Sequence, residues 1–115
     1  MTNDQADTAF QSLHDAQRAA QFLYMELRDA GNAADAANAK LRADRLQNEI
    51  ENLINRELAD WQAGAEALLP QLSIATSAAQ KAVDDVEQDV QNAQNVVCAL
   101  QALDNVVGVA MKFIG

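Results

Sequence analysis

Residues 96–115 read VVCALQALDNVVGVAMKFIG, and the fold turns on how this stretch is covered. Fourteen of these twenty residues are apolar, and only Asp104 and Lys112 carry charge. A helix that is apolar on nearly every face needs cover from sister helices, from another chain or from lipid. As one helix, residues 96–114 span about 28 Å, close to the roughly 30 Å hydrocarbon core of a bilayer. Asp104 opposes that use, because a carboxylate near the bilayer centre costs roughly 2.5–3.5 kcal/mol. Lys112, two glycines and several weakly apolar alanines oppose it further. Sister helices are therefore the expected cover, and a membrane-active role for 96–114 is the least favoured reading.

Outward from this stretch the chain is helix-forming throughout. Ala occurs 24 times in 115 residues, with one Pro and four Gly. Few breakers and many strong helix formers imply long uninterrupted helices. The length suits a single domain, residues 1–115, with a modest core. The net charge is −9, and residues 57–111 hold eight acids against the single base Lys81. Such a surface repels phosphate backbones, so nucleic acid is not expected as a ligand. The one cysteine, Cys98, has no intrachain partner and is read as a small buried hydrophobe. The first residues, MTNDQADTAF, have neither a basic nor an apolar leader segment, so a reducing, cytoplasmic setting is the expectation.

Helix 1 is expected over about 4–30, capped by Asp4, with the stripe Ala6, Ala9, Leu13, Ala16, Ala20, Leu23, Leu27 and Ala30. Gly31 suits a left-handed helix end, and Asn32 suits the cap of the next helix, with Asp35 three residues on. Helix 2 follows over about 33–63. Its stripe runs Ala36, Ala39, Ala43, Leu46, Ile50, Leu53 and then slips to Ile54, Leu58 and Trp61, an extra residue expected to unwind the supercoil locally. Gly64 and Pro70 mark a second reversal, with a kinked continuous rod as the alternative. Helix 3 is expected over about 71–113 on the cleanest heptad of the chain: Ala79, Val83, Val86, Val90, Ala93, Val97, Leu100, Asp104, Val107, Met111, Ile114, joined from Val96 onward by a second stripe of Val96, Leu103, Val106, Val109, Ala110 and Phe113. The result is an all-α, antiparallel three-helix bundle or coiled coil.

Counting levels outward from the two reversals sets the apolar end of helix 3 beside the Gly31 turn. It also leaves only two helices at the opposite tip, where Trp61, Leu68, Leu69, Leu72 and Ile74 would stand uncovered. These five are the expected contact surface, most simply with a second copy of the chain. Asp84, Asp85, Glu87 and Asp89 form an acidic face suited to a basic protein. Asp104 falls on the core stripe, where a buried carboxylate needs a partner; Arg28, Lys40 and Arg42 come from the matching level.

The residues of chemistry are sparse. His14 is the only histidine, without a second ligand at zinc spacing. Asp85 and Asp89 share a face but have no histidine companion of the di-iron type. No phosphate-binding glycine loop and no nucleophile–base set occurs. No cofactor, metal or catalytic residue is expected, and the protein is read as non-enzymatic. It is expected to work by protein contact, most simply as a homo-oligomer. The alternative is a small acidic inhibitor, immunity or chaperone protein that masks a basic or apolar partner.

Overall fold

The computed structural model describes residues 1–114 and is all-helical, with four helices packed together. They are α1 (Asn3–Asp29), α2 (Ala33–Ile54), α3 (Leu69–Gln88) and α4 (Ala93–Met111), with short 3-10 turns at Leu58–Asp60 and Ala65–Leu68. The expected third helix is thus two helices, and four rather than three build the bundle.

Each joint has a local cause. Thr2, not Asp4, caps α1: its hydroxyl accepts from the Gln5 amide while the Gln5 side chain accepts from the Thr2 amide. This reciprocal pair satisfies two donors that a helix start otherwise leaves bare. At the other end Gly31 takes φ 81°, the Gly31 amide donates to Arg28 and the Asn32 amide to Leu27. That left-handed ending is cheap only for glycine. Asn32 Oδ1 then accepts from the Asp35 amide to start α2.

α2 stops at Ile54, well short of residue 63. The extra residue in its stripe is therefore not an unwound coil; it marks where the chain leaves the helix. Ile54 is 60% exposed, and the 3-10 turns carry Leu58 and Trp61 back under the bundle. Gly64, at φ 78°, opens the second of these turns, and Pro70 lies in the first turn of α3, where a missing N–H costs nothing.

The break at Asp89–Asn92 has no glycine or proline. Asp89 leaves the helix at φ −147°, ψ 83°, and Asn92 caps α4 by accepting from the Gln94 and Asn95 amides. Asn95 Nδ2 donates back to the Asp85 carbonyl, tying the two helices across the turn. The turn also shifts the register. The buried residues of α4 are Val96, Ala99, Leu100, Leu103, Val106 and Ala110, a seam one residue ahead of the heptad continued from α3. Val97 and Met111, on that continued heptad, are exposed, and so is Cys98, which takes a hydrogen bond from Gln94 instead of packing in the core.

The bundle is two helical hairpins side by side. In the first, Gln17 on α1 bonds Gln47 on α2, as opposed directions about the Gly31 turn require. α1 also packs on α3, where Thr76 Oγ1 donates to the Ser12 carbonyl, and α2 packs on α4 through Arg42 and Asp104. Alanines at Ala9, Ala16, Ala20, Ala39, Ala79 and Ala99 are fully buried. They let the helices approach closely around the larger Leu13, Leu23, Leu27, Leu46 and Leu103.

The level count changes with the fourth helix. α4 runs back toward the tip, so its end meets the 55–68 segment rather than the Gly31 turn. The Gln62 amide donates to the Phe113 carbonyl at 2.7 Å. By the Arg42–Asp104 register, it is the start of α4 that lies level with Gly31.

Candidate functional site

At the tip, Trp61 is the keystone. Its ring stands edge-on to Phe10 at 5.8 Å and to Phe113 at 5.9 Å, nearly perpendicular to both. Edge-to-face pairs of this kind add to the burial of the rings themselves. Trp61 and Leu72 are buried, Leu68 and Leu69 half-buried, and only Ile74 of the five expected contact residues stands exposed, at 72%. The tip is covered because α4 delivers Phe113 to it. The burial has a cost: the indole Nε1 is enclosed with no hydrogen-bond partner.

Ile74 belongs to a different surface. It lines a groove of about 350 Å³ between α3 and α4 with Gln71, Ala75, Ala78, Ala102 and Asn105. Neither residues 69–80 of α3 nor residues 93–103 and 105–111 of α4 carry a charge. The one charge within α4, Asp104, points to α2. At the far end of this face Lys81 and Asp85 neutralise one another at 3.3 Å. A chain of net charge −9 therefore has one broad face that is almost free of charge.

The acidic residues divide. Asp84 and Glu87 face α1, in a groove of about 600 Å³ lined also by Asp15, Arg18, Ala19, Phe22, Gln80 and Val83. Asp85 turns to the α4 side with Lys81, and Asp89 ends α3. The four do not form one face. Arg18 leans on Asp15 at 3.6 Å, whereas Asp84 and Glu87 have no ion pair among the described residues. Phe22 stands half out of the surface, off the helix 1 stripe.

Asp104 is not a buried core carboxylate. The register shift sets it beside the seam, with its side chain 42% exposed. Arg42 grips it with two bonds, Nε to Oδ1 at 3.1 Å and Nη2 to Oδ2 at 3.0 Å, and Arg45 approaches at 3.7 Å. This two-pronged geometry aligns α2 with α4 and is stronger than a single contact. One turn further along α2, Glu49 is half-buried without a cation, and burial pushes its carboxyl up from the ordinary 4.5. A raised carboxyl holds its proton more firmly in the folded chain. Its contribution to stability therefore falls as pH rises from the unfolded value through the raised one.

Among the described residues no three His, Cys, Asp or Glu side chains gather as a metal site. Nor is any helix long and apolar enough to cross a membrane. Compared with protein-family models, with curated proteins and with solved structures, the chain matches none.

Proposed function

We propose that this chain acts by protein contact rather than by catalysis, and that it pairs with a second copy of itself through the outer face of α3 and α4. The observation that carries this reading is Ile74, 72% exposed at the centre of an uncharged face on an otherwise acidic molecule. Two copies of charge −9 repel across most of their surfaces, and this face is where they repel least. The small residues Ala75, Ala78 and Ala102 permit close approach, and Ile74 supplies a knob for the groove of the partner copy.

Light scattering coupled to size-exclusion chromatography tests this. Kept native throughout, without refolding from denaturant, the wild type is expected to shift from monomer to dimer as its concentration rises, and Ile74→Glu to stay monomeric. Loss of the Ile74 burial, about 1.5–3 kcal/mol in each copy and so twice in a symmetric pair, corresponds to a dimer at least about a hundredfold weaker. A wild type that is monomeric at every concentration rules the pairing out.

A second reading has its own observation, the α1–α3 groove. Its floor of Ala19, Phe22 and Val83 lies between the unpaired acids Asp84 and Glu87. A basic amphipathic helix matches this arrangement, apolar side chains on Phe22 and lysines against the acids. A synthetic helical peptide of Leu and Lys at heptad spacing is expected to bind and to be released by salt. The Asp84→Asn, Glu87→Gln double variant should bind it at least tenfold more weakly. Equal binding by variant and wild type would remove the groove from consideration.

A further inference from the structure

The joint between α3 and α4 is unlike the other two. The α1–α2 turn contains Gly31 at φ 81°, and the 55–68 segment contains Gly64 at φ 78°, followed by Pro70. The Asp89–Asn92 joint has no such residue; nothing in its backbone is barred from the helix. Its local bonds are the Asn92 cap, the Asn92 amide on the Asp89 carbonyl, and Asn95 on Asp85, and beyond these only the packing of α4 on α2 and α3 keeps it bent.

The heptad nevertheless runs through this joint without a slip. Val83, Val86, Val90, Ala93, Val97 and Leu100 keep strict four–three spacing. In the folded hairpin this register packs only in part beyond the turn: Leu100 is buried, but α4 otherwise packs through a seam one residue earlier and leaves Val97 45% and Met111 59% exposed. The continued register becomes a single stripe only if α3 and α4 form one helix.

Such a helix, Leu69 to Met111, is some 43 residues and roughly 65 Å long, against a longest dimension of 45 Å for the whole molecule. Its second half cannot stay in its own bundle. We propose that the Asp89–Asn92 joint straightens and that two copies exchange their α4 helices, each α4 filling the vacated place in the partner copy. The Val96–Leu103–Val106 face then regains on the second copy the contacts it leaves on the first. The only new surface is the central stripe of Val90, Ala93 and Val97, where the two long helices meet. Reciprocal exchange of an identical element is an inexpensive route to a dimer when the hinge is short and permissive. It does not use Ile74, so it goes beyond the face-to-face pairing proposed above.

Ala93→Pro is the deciding variant. Ala93 is the first residue of α4, and Asn92 before it has φ −80° and ψ 104°, which a following proline accepts. Proline there suits the hairpin but breaks a continuous helix, lowering its population on the order of a hundredfold. Asn92→Ala does the reverse by removing the cap. The full-length protein is refolded from denaturant at high concentration and sized by light scattering and small-angle X-ray scattering. The wild type and Ile74→Glu are expected to give an elongated dimer, Ala93→Pro no elongated species but only the compact monomer and the face-to-face dimer, and Asn92→Ala more elongated dimer than wild type. Should Ala93→Pro fail to fold by circular dichroism, the Asn92→Ala comparison decides alone. The exchange is overturned if no dimer longer than the monomer forms, or if dimer yield ignores Asn92→Ala or a folded Ala93→Pro. A dimer abolished by Ile74→Glu but not by Ala93→Pro is the face-to-face one.

Discussion

Trp61→Ala is expected to destabilise the protein by about 3–5 kcal/mol, the range for deleting a large buried aromatic. Domains of this size have only about 5–15 kcal/mol in total, so the variant is expected to be partly unfolded at physiological temperature. The loss exceeds one side chain because Trp61 touches both Phe10 of α1 and Phe113 beyond α4, joining the two ends of the chain at the tip. Without it the Gln62–Phe113 hydrogen bond no longer has a packed support, and the end of α4 frays from the tip. Trp61→Phe should behave differently. It keeps an aromatic ring between the two phenylalanines and removes the enclosed indole N–H, which has no acceptor. An unsatisfied buried donor costs about 1–3 kcal/mol. That gain offsets most of the lost ring volume, leaving a net change within about 1 kcal/mol. Urea unfolding followed by circular dichroism measures both. If the phenylalanine variant loses as much as the alanine one, the orphaned donor is not a cost in the native state.

Leu103→Ala is expected to cost about 2–5 kcal/mol, while Met111→Ala costs less than about 1 kcal/mol. The contrast separates the two registers of α4. Leu103 is fully buried on the seam that the turn creates; Met111 lies on the heptad continued from α3 and is 59% exposed. Had the chain continued as one helix into a three-helix bundle, Met111 would be core and Leu103 would lie off the main stripe. Thermal unfolding of the two variants side by side reads the difference directly. Equal losses would place both registers in contact and contradict the four-helix packing.

Much of the fold was legible because its signals are local. The Gly31–Asn32 joint, the stripes of α1 and of α2 as far as Leu53, and the proline in the first turn of α3 all follow from backbone chemistry within a few residues. The joint at Asp89–Asn92 was not legible for the same reason. Asp, Val, Gln and Asn neither forbid a helix nor demand a turn, and the valine heptad runs straight through. Only the gain from folding α4 back against α2 and α3 selects the reversal, and that gain comes from residues far away in the chain. The misplacements of Trp61, Leu72 and Asp104 descend from this one turn, whereas the acidic residues divide because Asp84 and Asp85 lie about 100° apart on α3. A three-helix level count leaves Trp61 and Leu72 uncovered because it sends the end of α4 to the Gly31 turn. A register counted from α3 puts Asp104 in the core.

The sequence by itself determined an all-helical, acidic chain with alanine-lined stripes, because composition, caps and periodicity act over one or two turns. Tertiary structure alone decided that there are four helices, that Ile74 rather than Trp61 faces outward, and that Asp104 clamps α2 to α4 instead of lying in the core. A heptad states which residues share a face, but not what that face meets. Where two registers differ by one residue, the choice between them rests on which neighbours complete the packing, and those neighbours are known only once the chain has folded.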